Sequence, residues 1–104
     1  MIQTVSVQMF KQWLDKGEAV LIDVREPDEY AVGHIAGAVP LPLATVNAAK
    51  LPDLGGRKLV MQCKGGGRSG RACTKLMSEN PALLPYNLEG GITAWVQAGY
   101  EVKT

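Results

Sequence analysis

Two short apolar runs, Ala19-Val20-Leu21-Ile22 ending in Asp23 and Lys58-Leu59-Val60-Met61-Gln62, restrict the fold of this chain more than any other feature. Neither alternates apolar with polar residues, so each predicts a strand buried on both faces, the pattern of a parallel sheet covered by helices on either side. The segments around them supply those helices. Ser6 predicts an N-cap for a helix in which Val7, Phe10, Trp13 and Leu14 share a face and Gly17 is the stop. Pro27 suits the first turn of a short helix through Tyr30, ended by Gly33, and Ala38-Val39 before Pro40 predicts a brief strand. Leu43 to Leu51 is weakly helical, and Pro52-Asp53 with Gly55-Gly56 marks a loop.

Ala72, Cys73, Leu76 and Met77 line one face of a further helix that finishes by Asn80-Pro81. Leu84 to Leu88 predicts a last strand, Gly90-Gly91 a turn, and Ile92, Trp95 and Val96 one side of a final helix closed by Gly99. Strand followed by helix is thus the repeated order. It predicts an α/β fold with a parallel sheet between helices, in which sites lie beyond the carboxyl ends of the strands.

With 104 residues, no repeat and no linker, residues 1–104 are expected to form a single domain. A net charge of +1 excludes the basic excess that nucleic acid or an anionic membrane surface asks of a partner. No apolar stretch approaches the ~20 residues of a membrane helix, and the N-terminus lacks the pattern of a secretory signal, so a cytoplasmic location is expected. Two cysteines in such a chain argue for free thiols. The charge is unevenly spread: six acids fall between Asp15 and Glu29, whereas Lys64, Arg68, Arg71 and Lys75 occupy Met61 to Met77 with no acid.

The positive stretch surrounds Cys63-Lys64-Gly65-Gly66-Gly67-Arg68-Ser69, directly after the second apolar run. Consecutive glycines let several N–H groups converge on one point, making an anion-binding nest. Ser69 is expected to begin the following helix, whose N-terminus then faces the same point. A cysteine there acquires a depressed pKa and becomes a ready nucleophile. Lys64 and Arg68 sit at the rim, and Arg68 has the fork geometry to grip an oxyanion. Amide hydrogens turned outward, with position 63 walled off from solvent, would overturn this reading.

Four residues, Lys64, Gly65, Gly66 and Gly67, separate Cys63 from Arg68. Cysteine phosphatases place one more in that interval, enough for a tetrahedral phosphate. The tighter ring suits a single large atom, such as the outer sulfur of a persulfide.

Three stretches together resemble the single-domain rhodaneses. Leu21-Ile22-Asp23-Val24-Arg25-Glu26, continued by Glu29-Tyr30 and Gly33-His34-Ile35-Ala36-Gly37-Ala38, resembles that family's N-terminal signature. Cys63 to Arg68 resembles its active-site loop, and Leu88-Glu89-Gly90-Gly91-Ile92-Thr93-Ala94-Trp95 with Ala98-Gly99-Tyr100 its C-terminal signature. The resemblance implies a rhodanese-like three-layer α/β/α fold with a mostly parallel five-stranded sheet. It also implies a sulfurtransferase in which Cys63 attacks a small anionic donor such as thiosulfate and becomes a persulfide. A thiophilic acceptor (cyanide, a thiol or a partner protein) then takes the sulfur. Cys63 is the expected catalytic residue; Lys64, Gly65, Gly66, Gly67, Arg68 and Ser69 are expected to bind the donor, with no metal or organic cofactor required.

Other readings stand beside this one: a persulfide carrier serving a partner protein, a cysteine-dependent phosphatase or arsenate reductase, and a non-catalytic regulatory module. Cys73 is expected to pack as a small apolar residue, as are Trp13 and Trp95. His34 is read as structural, because a thiolate already formed needs no general base. Asp23 and Arg25 are expected either to brace the loop from behind or to form an ordinary surface pair. Arg71 and Lys75 are expected to be solvated.

Overall fold

The computed structural model describes residues 2–104, so of the expected span 1–104 only Met1 lies outside the described residues. Five strands, β1 (Gln3–Val5), β2 (Ala19–Asp23), β3 (Val39–Pro40), β4 (Lys58–Gln62) and β5 (Tyr86–Leu88), alternate with four helices. These are α1 (Val7–Asp15), α2 (Pro27–Val32), α3 (Gly67–Glu79) and α4 (Gly91–Gln97). The sheet order is β1-β5-β4-β2-β3, and every neighbouring pair is parallel.

The two apolar runs occupy the centre as β2 and β4, paired from Ala19 opposite Lys58 to Asp23 opposite Gln62. The pleat sends Leu21 and Val60 to one core and Val20, Ile22, Leu59 and Met61 to the other, which is why neither run has a polar face. On the first side Val7 and Phe10 of α1 pack with Ile92 and Trp95 of α4, the Phe10 and Trp95 rings 5.7 Å apart. On the second lie Ala72, Cys73 and Leu76 of α3. Fully burying a side chain such as Phe10 or Leu76 contributes roughly 1.5–3 kcal/mol, so both layers stabilise the sheet that carries the loop. Ser6 caps α1 as expected, accepting a hydrogen bond from the Met9 N–H at 3.1 Å.

Several elements differ from expectation. The edge strand β1 has no apolar run to announce it: Gln3 and Thr4 are exposed and only Val5 is buried, and the strand exists through its pairing with β5. Leu43 to Leu51 forms no α-helix; a single 3-10 turn, Ala48–Lys50, is capped by Asn47. The apolar side chains of that stretch, Leu43, Val46 and Leu51, pack on the core as anchored loop. The Lys75 ammonium, expected in solvent, donates to the Val46 carbonyl and pins that loop to α3, whereas Arg71 is exposed as expected. The last strand is shorter than Leu84 to Leu88, beginning at Tyr86, after a proline that has no N–H to give a ladder. Among the described residues no helix is long and apolar enough to cross a membrane.

Candidate active site

The central strand β4 hands the chain to Cys63 at the carboxyl edge of the sheet, between the ends of β2 and β5. Gly66 then takes φ +112°, a left-handed conformation suited to glycine, and serves as N-cap of α3. The helix therefore starts at Gly67, two residues before the expected Ser69, and Arg68 and Ser69 lie in its first turn. This tight reversal folds the loop back over its own sulfur. The Gly66 N–H donates to Cys63 Sγ at 3.0 Å, the Ser69 hydroxyl lies 3.3 Å away, and the amides of Gly65 and Ser69 also face it.

Burial pushes the Cys63 thiol up, but the Ser69 hydroxyl and the Ser69, Gly66 and Gly65 amides together outweigh it and hold the thiol below its ordinary value. Cys73 shows what burial does without such donors: among the apolar residues of α3 it is pushed up to about 12 and packs, as expected, as an inert side chain. Of the two free thiols only Cys63 is poised toward the anion.

The amides turn inward as expected, but Cys63 is only 1% exposed, not open. The reason is the same reversal: the sulfur forms the floor of the loop it belongs to. Above it, Gly65 and Gly67 are exposed, and a Cβ on either would meet nothing within 4 Å, so neither is required by packing. They leave the approach to the loop bare.

Arg68 does not present a free fork. Its two terminal nitrogens donate to the carboxylate of Glu29 at 2.7 and 3.0 Å. Glu29 belongs to the first turn of α2, where it also accepts the Glu26 N–H at 2.9 Å in a capping box. The Arg68 guanidinium, together with that N–H, draws the Glu29 carboxyl down to about 2, and Arg68 is raised in return. A depressed carboxyl stabilises the fold above its ordinary value of 4.5, and that contribution is lost as pH falls toward about 2. The clamp is therefore fully closed throughout the neutral range. Lys64, exposed at the rim, has no carboxylate partner among the described residues.

Asp23 and Arg25 form a buried pair, not the surface pair that was the alternative: Asp23 is fully buried and Arg25 is 7% exposed. Three guanidinium-to-carboxylate hydrogen bonds of 2.8 to 3.2 Å join them, and Arg25 also donates to the Gly33 carbonyl at 2.7 Å and the Glu29 carbonyl at 3.4 Å. What the pair braces is α2, the helix that brings Glu29 to the loop. His34 is structural as expected: it stacks on Tyr30 at 3.9 Å, its Nδ1 lies 3.0 Å from the Tyr30 carbonyl, and its backbone pairs with Lys103.

Two polar residues without a sequence-level role complete the surroundings. Gln62, fully buried at the end of β4, donates through Nε2 to the Cys63 carbonyl at 2.9 Å, and its Oε1 has no partner. Asn87 of β5 reaches both Ser69 and Gly66. The signal for each was a polar residue in a mostly apolar strand beside the loop, Gln62 closing β4 and Asn87 in the middle of β5. A groove of about 650 Å³ runs from Lys64 and Glu29 between α2 and α4, its apolar lining supplied by Val32, Ile92, Val96 and Val102.

A parallel sheet that carries a stabilised thiol into the first turn of a helix defines a fold class with solved members. A human single-domain sulfurtransferase, TSTD1, superposes with a TM-score of 0.78 at 28% identity over 93% of this chain and 97% of that one. The family itself follows from the sequence: the model of the Rhodanese-like domain matches residues 6–98, and the chain belongs to the rhodanese family. A sulfurtransferase of Allochromatium vinosum is 33% identical over 98% of this chain and 95% of the relative. An uncharacterized protein of Synechocystis is 38% identical over 97% of this chain, which spans 56% of that relative's length. Sulfur transfer in general comes with this membership.

Proposed function

We propose that residues 1–104 act as one domain that moves a sulfane sulfur from thiosulfate, or a donor of the same charge and shape, to a thiophilic acceptor through a Cys63 persulfide. The observation that carries this reading is the convergence of the Gly66 N–H and the Ser69 hydroxyl on one sulfur, in a loop whose amides hold the thiol below its ordinary value. The Cys63 thiolate attacks the outer sulfur of thiosulfate; a carbon-borne S–S bond forms, the S–S bond of the donor breaks, and its electron pair leaves with sulfite. The persulfide keeps the negative charge, and preorganised N–H groups stabilise it as an oxyanion hole stabilises oxygen. A nucleophilic acceptor, cyanide or a thiol, then takes the outer sulfur and returns the thiolate. Lys64 attracts the dianion, and the bare glycines give it a path to the sulfur.

Thiosulfate is expected to add about +32 Da, one sulfur atom, to the peptide containing Cys63, with the addition removed by dithiothreitol and converted to thiocyanate by cyanide. Absence of both adduct and thiocyanate removes the reading. An adduct that cyanide cannot discharge, but a partner protein can, makes the chain a carrier.

The Glu29 clamp gives a second expectation. Arg68 is offered to the donor only in competition with a carboxylate already held by two hydrogen bonds. Glu29→Gln keeps the shape and removes the charge, so KM for thiosulfate is expected to fall about threefold to tenfold with kcat little changed, the scale of a part-exposed ion pair. Steady-state kinetics at low ionic strength check this; an unchanged or higher KM means that Arg68 serves the loop and not the donor.

A further inference from the structure

The Ser69 hydroxyl has one proton and three acceptors around it: Cys63 Sγ at 3.3 Å, the Gly66 carbonyl at 3.2 Å, and Oδ1 of Asn87. It gives a good hydrogen bond to one at a time. Asn87 stands on β5, next to the strand that leads into Cys63, and both ends of its side-chain amide are engaged. Oδ1 accepts from Ser69, and Nδ2 donates to the Gly66 carbonyl at 3.0 Å. Gly66 and Ser69 are the residues whose N–H and hydroxyl rest on Sγ. One residue outside the loop thus holds both groups that hold the sulfur. Helix α3 is fitted to it as well, since a Cβ at Gly70 would lie 3.4 Å from Nδ2.

We propose that Asn87 is a positioning residue for the Cys63 sulfur, pinning the Gly66 peptide so that its N–H stays aimed at Sγ and holding the Ser69 hydroxyl in reserve for the anionic sulfur. With Sγ protonated, Ser69 points its proton at Asn87 Oδ1 and offers a lone pair to S–H. When Sγ loses its proton to solvent, the hydroxyl turns to Sγ, and no proton passes through Asn87. When the charge moves to the outer sulfur of a persulfide, the hydroxyl returns to Asn87. The reserve costs little in the resting state because the hydroxyl is satisfied in either position. The charged groups around the loop stay as they are: Lys64 beside Cys63, Arg68 of α3 with Glu29 of α2, and the Asp23–Arg25 pair at the end of β2.

The proposed use of the device rests on Cys63 as the nucleophile, but the test reads the sulfur without sulfur transfer, so the two can fail separately. Alkylation of Cys63 by iodoacetamide is followed by peptide mass at a fixed pH where the wild-type rate is still rising. Asn87→Ala and the isosteric Asn87→Asp are each expected to slow it roughly tenfold, the scale of a lost hydrogen bond to a charged group. In a Ser69→Ala background, Asn87→Ala should slow it by about threefold at most, because the two residues act as a unit. A wild-type rate in Asn87→Asp, or the full tenfold in both backgrounds, overturns the proposal. A lowered melting temperature with an unchanged alkylation rate leaves Asn87 merely structural. In the unsubstituted protein the side-chain amide resonance of Asn87 should move with the Cys63 titration and with persulfidation; a resonance still through both also overturns it.

Discussion

Cys63→Ser is expected to lower thiosulfate-to-cyanide turnover by at least about 10³-fold, the loss typical when a covalent nucleophile is removed. A serine hydroxyl is scarcely ionised at neutral pH and is a poor nucleophile toward sulfane sulfur, so no intermediate accumulates. The Gly66 N–H and the Ser69 hydroxyl still find an acceptor in the serine oxygen, and the side chain remains under the loop, so the fold is expected to hold within about 1 kcal/mol. The pH dependence has a definite sign. Because the Cys63 thiol lies below its ordinary value of 9.0, wild-type turnover should rise with pH and level off before that value is reached. By linkage, a thiol depressed in the folded state stabilises the protein above its unfolded value, and that stability fades as pH falls through the folded one. Cys63→Ser removes this component. Turnover assays and urea titrations across pH check both halves; a Cys63→Ser protein that still makes thiocyanate removes Cys63 as the nucleophile, and one whose sole function is binding a partner, unchanged by the substitution, returns the chain to the non-catalytic module.

The centre of the fold was legible because β2 and β4 are buried on both faces and so carry no polar alternation to blur them. The edges were not. β1 is three residues with two in solvent, and its existence is a property of β5, which no local pattern encodes. Leu43 to Leu51 has apolar residues at near-helical spacing because it is draped on the core, and that spacing reads like a helix without being one. At the site, the contiguous residues Cys63 to Ser69 stand together as the motif suggested. Glu29 and Asn87 lie 39 and 18 positions from the side chains they hold, and only the strand order brings α2 and β5 to the loop. The fork of Arg68 looked available because its partner is remote in sequence. A sequence motif names the groups at a site but not which of them already satisfy one another.

Gly91 shows the same limit at its sharpest and carries the other large expectation. The pair Gly90-Gly91 announces a turn, and both residues have positive φ, +74° and +59°. Their surroundings separate them. A Cβ at Gly91 would lie 2.5 Å from the carbonyl oxygens of both Cys63 and Lys64, which are backbone atoms of the loop. At Gly90 it would meet the side chain of Ala94, within the same helix, at 2.6 Å. The start of α4 is docked on the loop at this point: the Ile92 N–H donates to the Cys63 carbonyl at 2.9 Å and the Thr93 N–H to the Lys64 carbonyl at 3.1 Å. Gly91→Ala must force the two segments apart as well as strain its own backbone, and is expected to destabilise the protein by roughly 2–5 kcal/mol. In whatever fraction stays folded, Cys63 alkylation should slow, since the displaced carbonyls take the amides off the sulfur. Gly90→Ala should destabilise through the turn and the clash with Ala94, and leave the Cys63 rate of the folded protein near that of the wild type. Urea unfolding and native-state alkylation of the two variants, side by side, separate the cases. A Gly91→Ala protein within about 1 kcal/mol of wild type, with an unaltered Cys63 rate, means that α4 does not hold the loop in place.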